Sequence, residues 1–314
     1  MQLPAALKTA LEEVTKDAGS LRAASDAVSE RYRQRGGSLQ IQNSAEAQAY
    51  LATRFPATYA AARRSIDILR AVAPNFQPRG MLDVGAGPGT VACAAREVWA
   101  LADITLLEPN AHLRAAGQEM LKQLSAPATW LSEPVDRAEI AGAYDLVTAG
   151  YVLNELPETD LEKTILKLWV ACTGVLLLIE PGTPHGSAVI QTARDLLIKN
   201  GAQLLAPCPQ AAACPLREMK DRWCHFSVRV DRSRLHRHMK DASLSWEDEK
   251  FSFIAFGRQA AALPAARLIG HPSGTKVLRL QVCDVKGAAR TLDIPKSDPR
   301  HKALRRLAWG DSIK

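Results

Sequence analysis

The chain has 314 residues, of which 47% are hydrophobic and 23% charged, and it carries a formal net charge of +7. This is the balance of an ordinary soluble globular protein with one large or two modest domains, which sets aside disordered and fibrous classes. The longest apolar run, Val175 to Ile179, has the length of a buried strand and not of a membrane span, so no membrane partner is expected.

Residues 1–75 read as helical, rich in Ala, Leu, Glu, Lys and Arg, with a break at Gly36-Gly37. The opening Met1-Gln-Leu-Pro-Ala-Ala-Leu reads as the start of an amphipathic helix and not as a signal peptide. The expected location is therefore a reducing compartment. There, the six cysteines are expected to be metal ligands or core residues in preference to disulfides. Ala45 to Ala73 is predicted to be a helical pair interrupted at Pro56.

From about Gly80 strands and helices alternate, which predicts a parallel, doubly wound sheet. Met81–Val84, Ile104–Leu107, Thr129–Leu131, Tyr144–Ala149, Val175–Ile179 and Gln203–Ala206 are the predicted strands. Thr90–Ala100, Asn110–Gln123, a stretch from about Glu158, and Ser187–Lys199 are the predicted helices, with Asn110 as an N-cap and Asn200-Gly201 as a stop. Phe251–Phe256 alternates as a further strand. Ala266–Ile294 reads as short strands with a turn at Pro272-Ser273-Gly274, and Pro299–Leu307 as a basic helix.

The segment Leu82-Asp83-Val84-Gly85-Ala86-Gly87-Pro88-Gly89-Thr90 runs a strand into a glycine turn and directly into a helix. Such a turn lets the backbone approach a ligand closely, at a helix N-terminus carrying partial positive charge. One helix and one strand downstream, Glu108, followed by Pro109, places a carboxylate where it can accept both hydroxyls of a ribose. A dinucleotide fingerprint would read G-x-G-x-x-G or A, whereas the last position here is Thr90. Asp83, immediately before the turn, suits the cationic, amino-acid-bearing S-adenosylmethionine (SAM) better than a pyrophosphate, which it would repel. The motif resembles class I methyltransferases, and Asp83, Gly85, Ala86, Gly87, Gly89, Glu108 and Pro109 are the expected SAM contacts. On the acceptor side, Gly150 to Pro157 offers Asn154 and Glu155 as catalytic candidates without an Asn/Asp-Pro-Pro-aromatic motif, so the sequence assigns no catalytic base.

Cys208, Cys214 and Cys224 lie within 17 residues, and Cys283 follows in Val282-Cys283-Asp284. Four thiolates in a reducing compartment suit zinc or an iron–sulfur cluster, with His225 as a substitute ligand, and the spacing does not choose between metals. Cys93 and Cys172 sit among apolar residues and read as core. Around this module, residues 217–240 hold eight Lys/Arg against three acids, and residues 296–314 hold six against two. These are the charge clusters of a chain that neutralises phosphates, or of a solvated surface.

The cysteine module, together with Arg229, Arg232-Ser233, His236-Arg237, Glu247–Ser252, Asn154–Pro157, Glu180–Thr183 and Trp309-Gly310-Asp311, resembles the methyltransferase-like small-ribosomal-subunit proteins of mitochondria and related bacteria. The match covers most of the chain from about residue 45. The resemblance implies a Rossmann-like class I methyltransferase sheet with an N-terminal helical region, a cysteine-rich metal-binding insertion and a small C-terminal β extension. It implies that Cys208, Cys214, Cys224 and Cys283 hold a 4Fe–4S cluster, zinc being the fallback. It further implies binding to small-subunit rRNA and precursor particles, with Arg229, Arg232, Arg234 and Arg237 as phosphate partners and His236 beside them. The expected role is assistance in small-subunit assembly and translation by a monomer. The alternatives are an active SAM-dependent rRNA methyltransferase and a small-molecule methyltransferase whose basic clusters are incidental. The expected division is 1–75 helical, 76–206 SAM-binding, 207–250 cysteine-rich and basic, and 251–314 the last sheet strand with the β extension and basic helix.

Overall fold

The computed structural model describes residues 1–15, 23–27, 40–219 and 221–313. The expected break at Gly36-Gly37, and Lys220 and Lys314 of the basic clusters, lie outside the described residues.

Helix α1 (Ala5–Val14) buries Leu7, Ala10 and Leu11, the i, i+3, i+4 stripe of an amphipathic helix. Helix α2 (Ser44–Val72) begins with a reciprocal cap. The Asn43 side chain accepts from the Glu46 N–H at 2.9 Å, and the Glu46 carboxylate accepts from the Gln42 N–H at 2.9 Å. The pair expected across Pro56 is instead one helix of 29 residues. Pro56 removes a single i→i−4 donor. Phe55, Ala57 and Tyr59 are buried on both sides of it, so tertiary packing of that face outweighs the local break.

The main sheet contains β1 (Gly80–Val84), β2 (Asp103–Leu107), β3 (Thr129–Leu131), β4 (Tyr144–Gly150), β5 (Cys172–Pro181), β6 (Gln203–Ala206), β7 (Phe226–Asp231) and β8 (Trp246–Gly257). Its order is β3-β2-β1-β4-β5-β8-β6, with β7 paired to β8. Strands β1 to β5 are parallel, while β8 runs antiparallel between β5 and β6. This is the expected Rossmann-like class I arrangement, in which the order reverses between β1 and β4. In such sheets ligands bind beyond the carboxyl ends of the strands at that switch point.

The helices α3 (Thr90–Arg96), α4 (Ala111–Gln123), α5 (Glu158–Ala171) and α6 (Pro184–Lys199) cover the sheet. Both faces are buried, which is why β5 reads as one apolar run. Its residues still alternate: Val175, Leu177 and Ile179 pack with α2 and α3, and Leu176 and Leu178 with α5 and α6. Strand β8 does the same with Phe251, Phe253 and Ala255 against Ile254 and Phe256.

Strand β7, helix α7 (Arg234–Lys240) and the first half of β8 lie in the stretch read from sequence as an insertion. The last strand thus begins at Trp246 instead of Phe251, because Ser227–Asp231 of β7 supply partners for Trp246–Lys250. A second sheet, β11-β10-β9-β12, is formed by β9 (Ala266–Leu268), β10 (Val277–Asp284), β11 (Ala289–Pro295) and β12 (Ser312–Ile313). It encloses its own core of Leu268, Leu278, Leu280, Val282 and Ile294. The basic helix expected over Pro299–Leu307 is a single turn, α8 (His301–Leu304). Among the described residues no helix is long and apolar enough to cross a membrane.

Candidate functional site

The glycine turn stands at the carboxyl end of β1, beside the switch point. Gly85 and Gly87 both adopt left-handed backbone, with φ of 61° and 55°. A Cβ at Gly85 would stand 2.4 Å from Val152 Cγ2, so the turn and the end of β4 touch through that glycine. At Gly87 a Cβ would meet nothing within 4 Å, which leaves its face open for a ligand. The Gly87 N–H donates to Glu108 Oε2 at 2.8 Å, and the Asn110 N–H donates to Oε1 at 2.7 Å. Ala86 donates to the Leu107 carbonyl at 3.0 Å, and the Arg114 guanidinium donates to the carbonyls of Glu108 and Pro109. Gly89 caps α3, whose N-terminus faces the turn.

Asp83 is fully buried at the root of this turn. Its Oδ1 accepts from the Thr148 hydroxyl at 2.6 Å, while Oδ2 has no partner among the described residues. Burial pushes its carboxyl up to about 7, against the opposing pull of the Thr148 hydrogen bond. Burial likewise raises Glu108 to about 7, opposed by the Asn110 and Gly87 amides. Two buried carboxyls, one with an unsatisfied oxygen, suit a ligand carrying an amino group and hydroxyls.

Two further acidic and phenolic groups were not singled out as site residues from the sequence. Glu180, at the end of β5, accepts from the Leu153 N–H at 2.9 Å and leaves Oε2 buried without a partner among the described residues; burial holds its carboxyl well above the usual range. Tyr151 takes left-handed backbone, φ 61°, and its hydroxyl donates to Glu249 Oε1 at 2.8 Å. The Glu180-Pro181-Gly182-Thr183 motif was the available signal for the first. Asn154 and Glu155 lie on the 3₁₀ turn Leu153–Glu155, and Asn154 Oδ1 is buried without a partner among the described residues.

Cys208, Cys214, Cys224 and Cys283 line one cavity with about 20 Å³ of space inside, together with Pro207, Leu216, Phe226 and Ile269. They arrive from the loop after β6, the segment preceding β7, and the end of β10. Among the described residues, however, no group of three or more His, Cys, Asp or Glu side chains is arranged to hold a metal ion. Convergence of four thiols on one apolar space is therefore observed, whereas ligating distances are not. Burial raises the Cys208 and Cys224 thiols, and Cys283 up to about 12; for Cys224 the neighbouring Cys208, Cys214 and Cys283 add to the rise. His225 packs against Trp309, with ring centroids 4.8 Å apart, and is not among the cavity's lining residues. Cys93 and Cys172 are buried in the main core, as their surroundings predicted.

Two arginines also line the cavity, and both are almost completely buried: Arg194 on α6, 3% exposed, and Arg267 on β9, 2% exposed. Burial lowers Arg267 to about 10. The cavity lining thus combines four sulfurs with two buried guanidinium groups.

The basic residues are partly engaged with acids. Arg229 donates to both oxygens of Asp248, at 2.9 and 3.1 Å, and its guanidinium lies 3.6 Å from the centre of the Trp246 ring. Arg232 pairs with Glu247 at 2.8 Å. His236 is buried, with Nε2 3.7 Å from Glu247, and burial lowers its pKa against the pull of that carboxylate. Arg234 is exposed and Arg237 half-buried on α7.

The family described as Rsm22, mitochondrial small ribosomal subunit, matches residues 44–314. Human ribosome assembly protein METTL17, mitochondrial, is 28% identical over 233 residues, covering 67% of this chain and 48% of that protein. The Schizosaccharomyces pombe mitochondrial Rsm22-cox11 tandem protein 2 is 23% identical over 328 residues, covering 84% of this chain and 42% of that protein. The chain thus spans about half the length, or less, of these curated relatives. Among solved structures, magnesium protoporphyrin IX methyltransferase from Synechocystis PCC 6803 with bound SAM aligns with a TM-score of 0.44 and 16% identity, over 73% of this chain and 90% of that one. The strand order alone carries the fold assignment.

Proposed function

Because the chain belongs to the Rsm22 family of mitochondrial small ribosomal subunit proteins, matched over residues 44–314, we propose that it is a methyltransferase-like factor for small-subunit assembly. In this reading it binds SAM at the glycine turn and rRNA through its basic surface, and carries a 4Fe–4S cluster, or else zinc, on Cys208, Cys214, Cys224 and Cys283. It works with the ribosome in a reducing compartment, which is the mitochondrial matrix in a eukaryote and the cytoplasm in a bacterium. The family match is the observation that carries the reading.

The lining residues support the SAM and cysteine parts of this reading. The open face of Gly87, the unpaired Asp83 Oδ2 and the Glu108 carboxylate suit SAM's amino and ribose groups. Convergence of the four thiols suits a metal centre. Bound there, a thiolate-ligated metal supplies a covalent staple between the loop at 207–225 and β10. The chain's own residues hold the loops in place: the Arg267 guanidinium donates to the Pro207 and Gly310 carbonyls, and Ser252 donates to the Cys224 carbonyl.

Ultraviolet crosslinking of the tagged full chain in its native host tests the reading. Enrichment of small-subunit rRNA over large-subunit rRNA is expected. Equal or absent crosslinking would bring a small-molecule methyltransferase forward instead. The buried, unpaired Oδ1 of Asn154, at the end of β4 where class I enzymes orient an acceptor, favours a second reading, an active rRNA methyltransferase. Methyl transfer needs positioning more than a base, so the readout is methyl incorporation into rRNA that is lost on Gly87→Arg.

A further inference from the structure

Arg194 and Arg267 contradict the usual place of their residue type. Arginine is almost never fully buried unless it is paired with an acid. Arg194 Nη2 donates to the carbonyls of Gln210 and Ala212, in the loop between Cys208 and Cys214, and Nη1 lies 3.5 Å from Asp195 at the rim. Its Nε is buried with no partner among the described residues. Arg267 donates through Nε to Pro207 and through Nη1 to Gly310, at 2.7 and 3.0 Å, and its Nη2 is likewise buried without a partner. Asp195 is half-exposed and shared with Arg217, Asp311 pairs with Arg64 at 2.7 Å, and Asp284 pairs with Arg290 at 2.7 Å. No carboxylate among the described residues lines the cavity these two arginines share with the four thiols.

We infer that Arg194 and Arg267 are the counter-cations of the cysteine cavity, their unpaired N–H groups serving as donors to sulfur once the thiols are ionised on a metal. The inference rests on the proposed four-cysteine metal site. The charges balance. Four thiolates around one Zn²⁺, or around a 4Fe–4S core of charge 2+, leave a net charge of −2, and the two buried guanidinium groups neutralise it. Each arginine also braces, through its carbonyl bonds, a loop that carries a cysteine. A neutral amide at either position keeps a donor but removes the charge, so the centre becomes an uncompensated buried anion. Where the centre is redox-active, the two cations stabilise its more negative, reduced state, and their loss moves the midpoint potential downward.

The test uses the full chain, prepared anaerobically and loaded either with ferrous iron and sulfide or with Zn²⁺ alone. Arg194→Gln and Arg267→Gln are compared with Arg194→Lys and Arg267→Lys. The readouts are metal per chain, the rate of metal loss to a chelator, the midpoint potential of the iron form, and the melting temperature with and without metal. The Gln variants are expected to lose metal at least tenfold faster, to show a more negative potential and to gain less melting temperature from metal than the parent. The Lys variants recover much of each. Gln variants that melt lower by the same amount with and without metal, and that lose metal at the parental rate with an unchanged potential, would reduce both arginines to loop braces and overturn the inference. A parent chain that takes up neither metal would overturn the cysteine-site reading beneath it, a result separable from the first because it requires no variant.

Discussion

The backbone N–H of Gly87 donates to Glu108 Oε2 at 2.8 Å, joining the glycine turn after β1 to the end of β2 across 21 residues of chain. That bond sets the carboxylate and the open face of Gly87 on one side of the switch point, where the unpaired oxygen of Asp83 also lies buried.

Gly85 and Gly87 separate strain from ligand access. Each substitution by Ala forces a side chain into left-handed backbone, at a cost of about 1–2 kcal/mol. Gly85→Ala also drives its Cβ into Val152, so it is expected to unfold at clearly lower denaturant than Gly87→Ala. Gly87→Ala is expected to keep most of its stability and to lose SAM affinity. Denaturant melts paired with calorimetric SAM titrations check both.

The buried acids give a signed pH dependence. Asp83 and Glu108 are both raised to about 7, so the unliganded fold holds their protons where the unfolded chain has released them. Their contribution to stability is fully present below about pH 4 and is lost as pH rises through about 7. SAM's cationic amino group prefers the ionised carboxyl, so its affinity is expected to rise toward pH 7, by at most about tenfold per unit per group, and to fall again above about pH 8 as the α-amino group loses its own proton. Asp83→Asn should flatten both curves. Fluorescence titrations and melts between pH 5 and 9 measure them.

Cys224→Ser is expected to lower metal content and to reduce the melting temperature by about 5–10 °C, the scale of losing a ligand present well above its dissociation constant. Cys93→Ser, at a residue that does not line the cavity, is expected to leave metal content unchanged. Full iron or zinc content in Cys224→Ser would show the ligand assignment to be wrong.

On the basic surface the exposed and the paired arginines should part company. Arg234→Ala is expected to weaken RNA binding with little change in stability, lowering the salt slope by about 0.7–0.9 for each phosphate that is no longer neutralised. Arg232→Ala removes the partner of Glu247 and is expected to lower stability as well. Binding measured across a salt series, alongside thermal melts, separates the two.

Much of the α/β sheet was legible because its signals are local. Met81–Val84 running into Gly85, the apolar run Val175–Ile179, and the Asn200-Gly201 stop each state their own structure. Strand β7 was not legible: Phe226–Asp231 mixes Arg229 and Asp231 into a charged stretch and becomes a strand only by pairing with the first half of β8. The continuity of α2 through Pro56 is likewise a tertiary effect, set by the burial of Phe55 and Tyr59. At the candidate site, the glycine turn and spacing singled out Asp83 and Glu108, and the cysteine module singled out the four thiols. Arg194 and Arg267 were not, since arginine in sequence reads as surface and only the fold shows both buried beside Cys208.

The central claim, a role in assembling the small ribosomal subunit, is tested most directly by sedimentation of native extract under anaerobic conditions in low and moderate salt. Co-migration of the protein with small-subunit precursor particles, and not with mature ribosomes, is the predicted result. Migration as a free protein at both salt concentrations would contradict it.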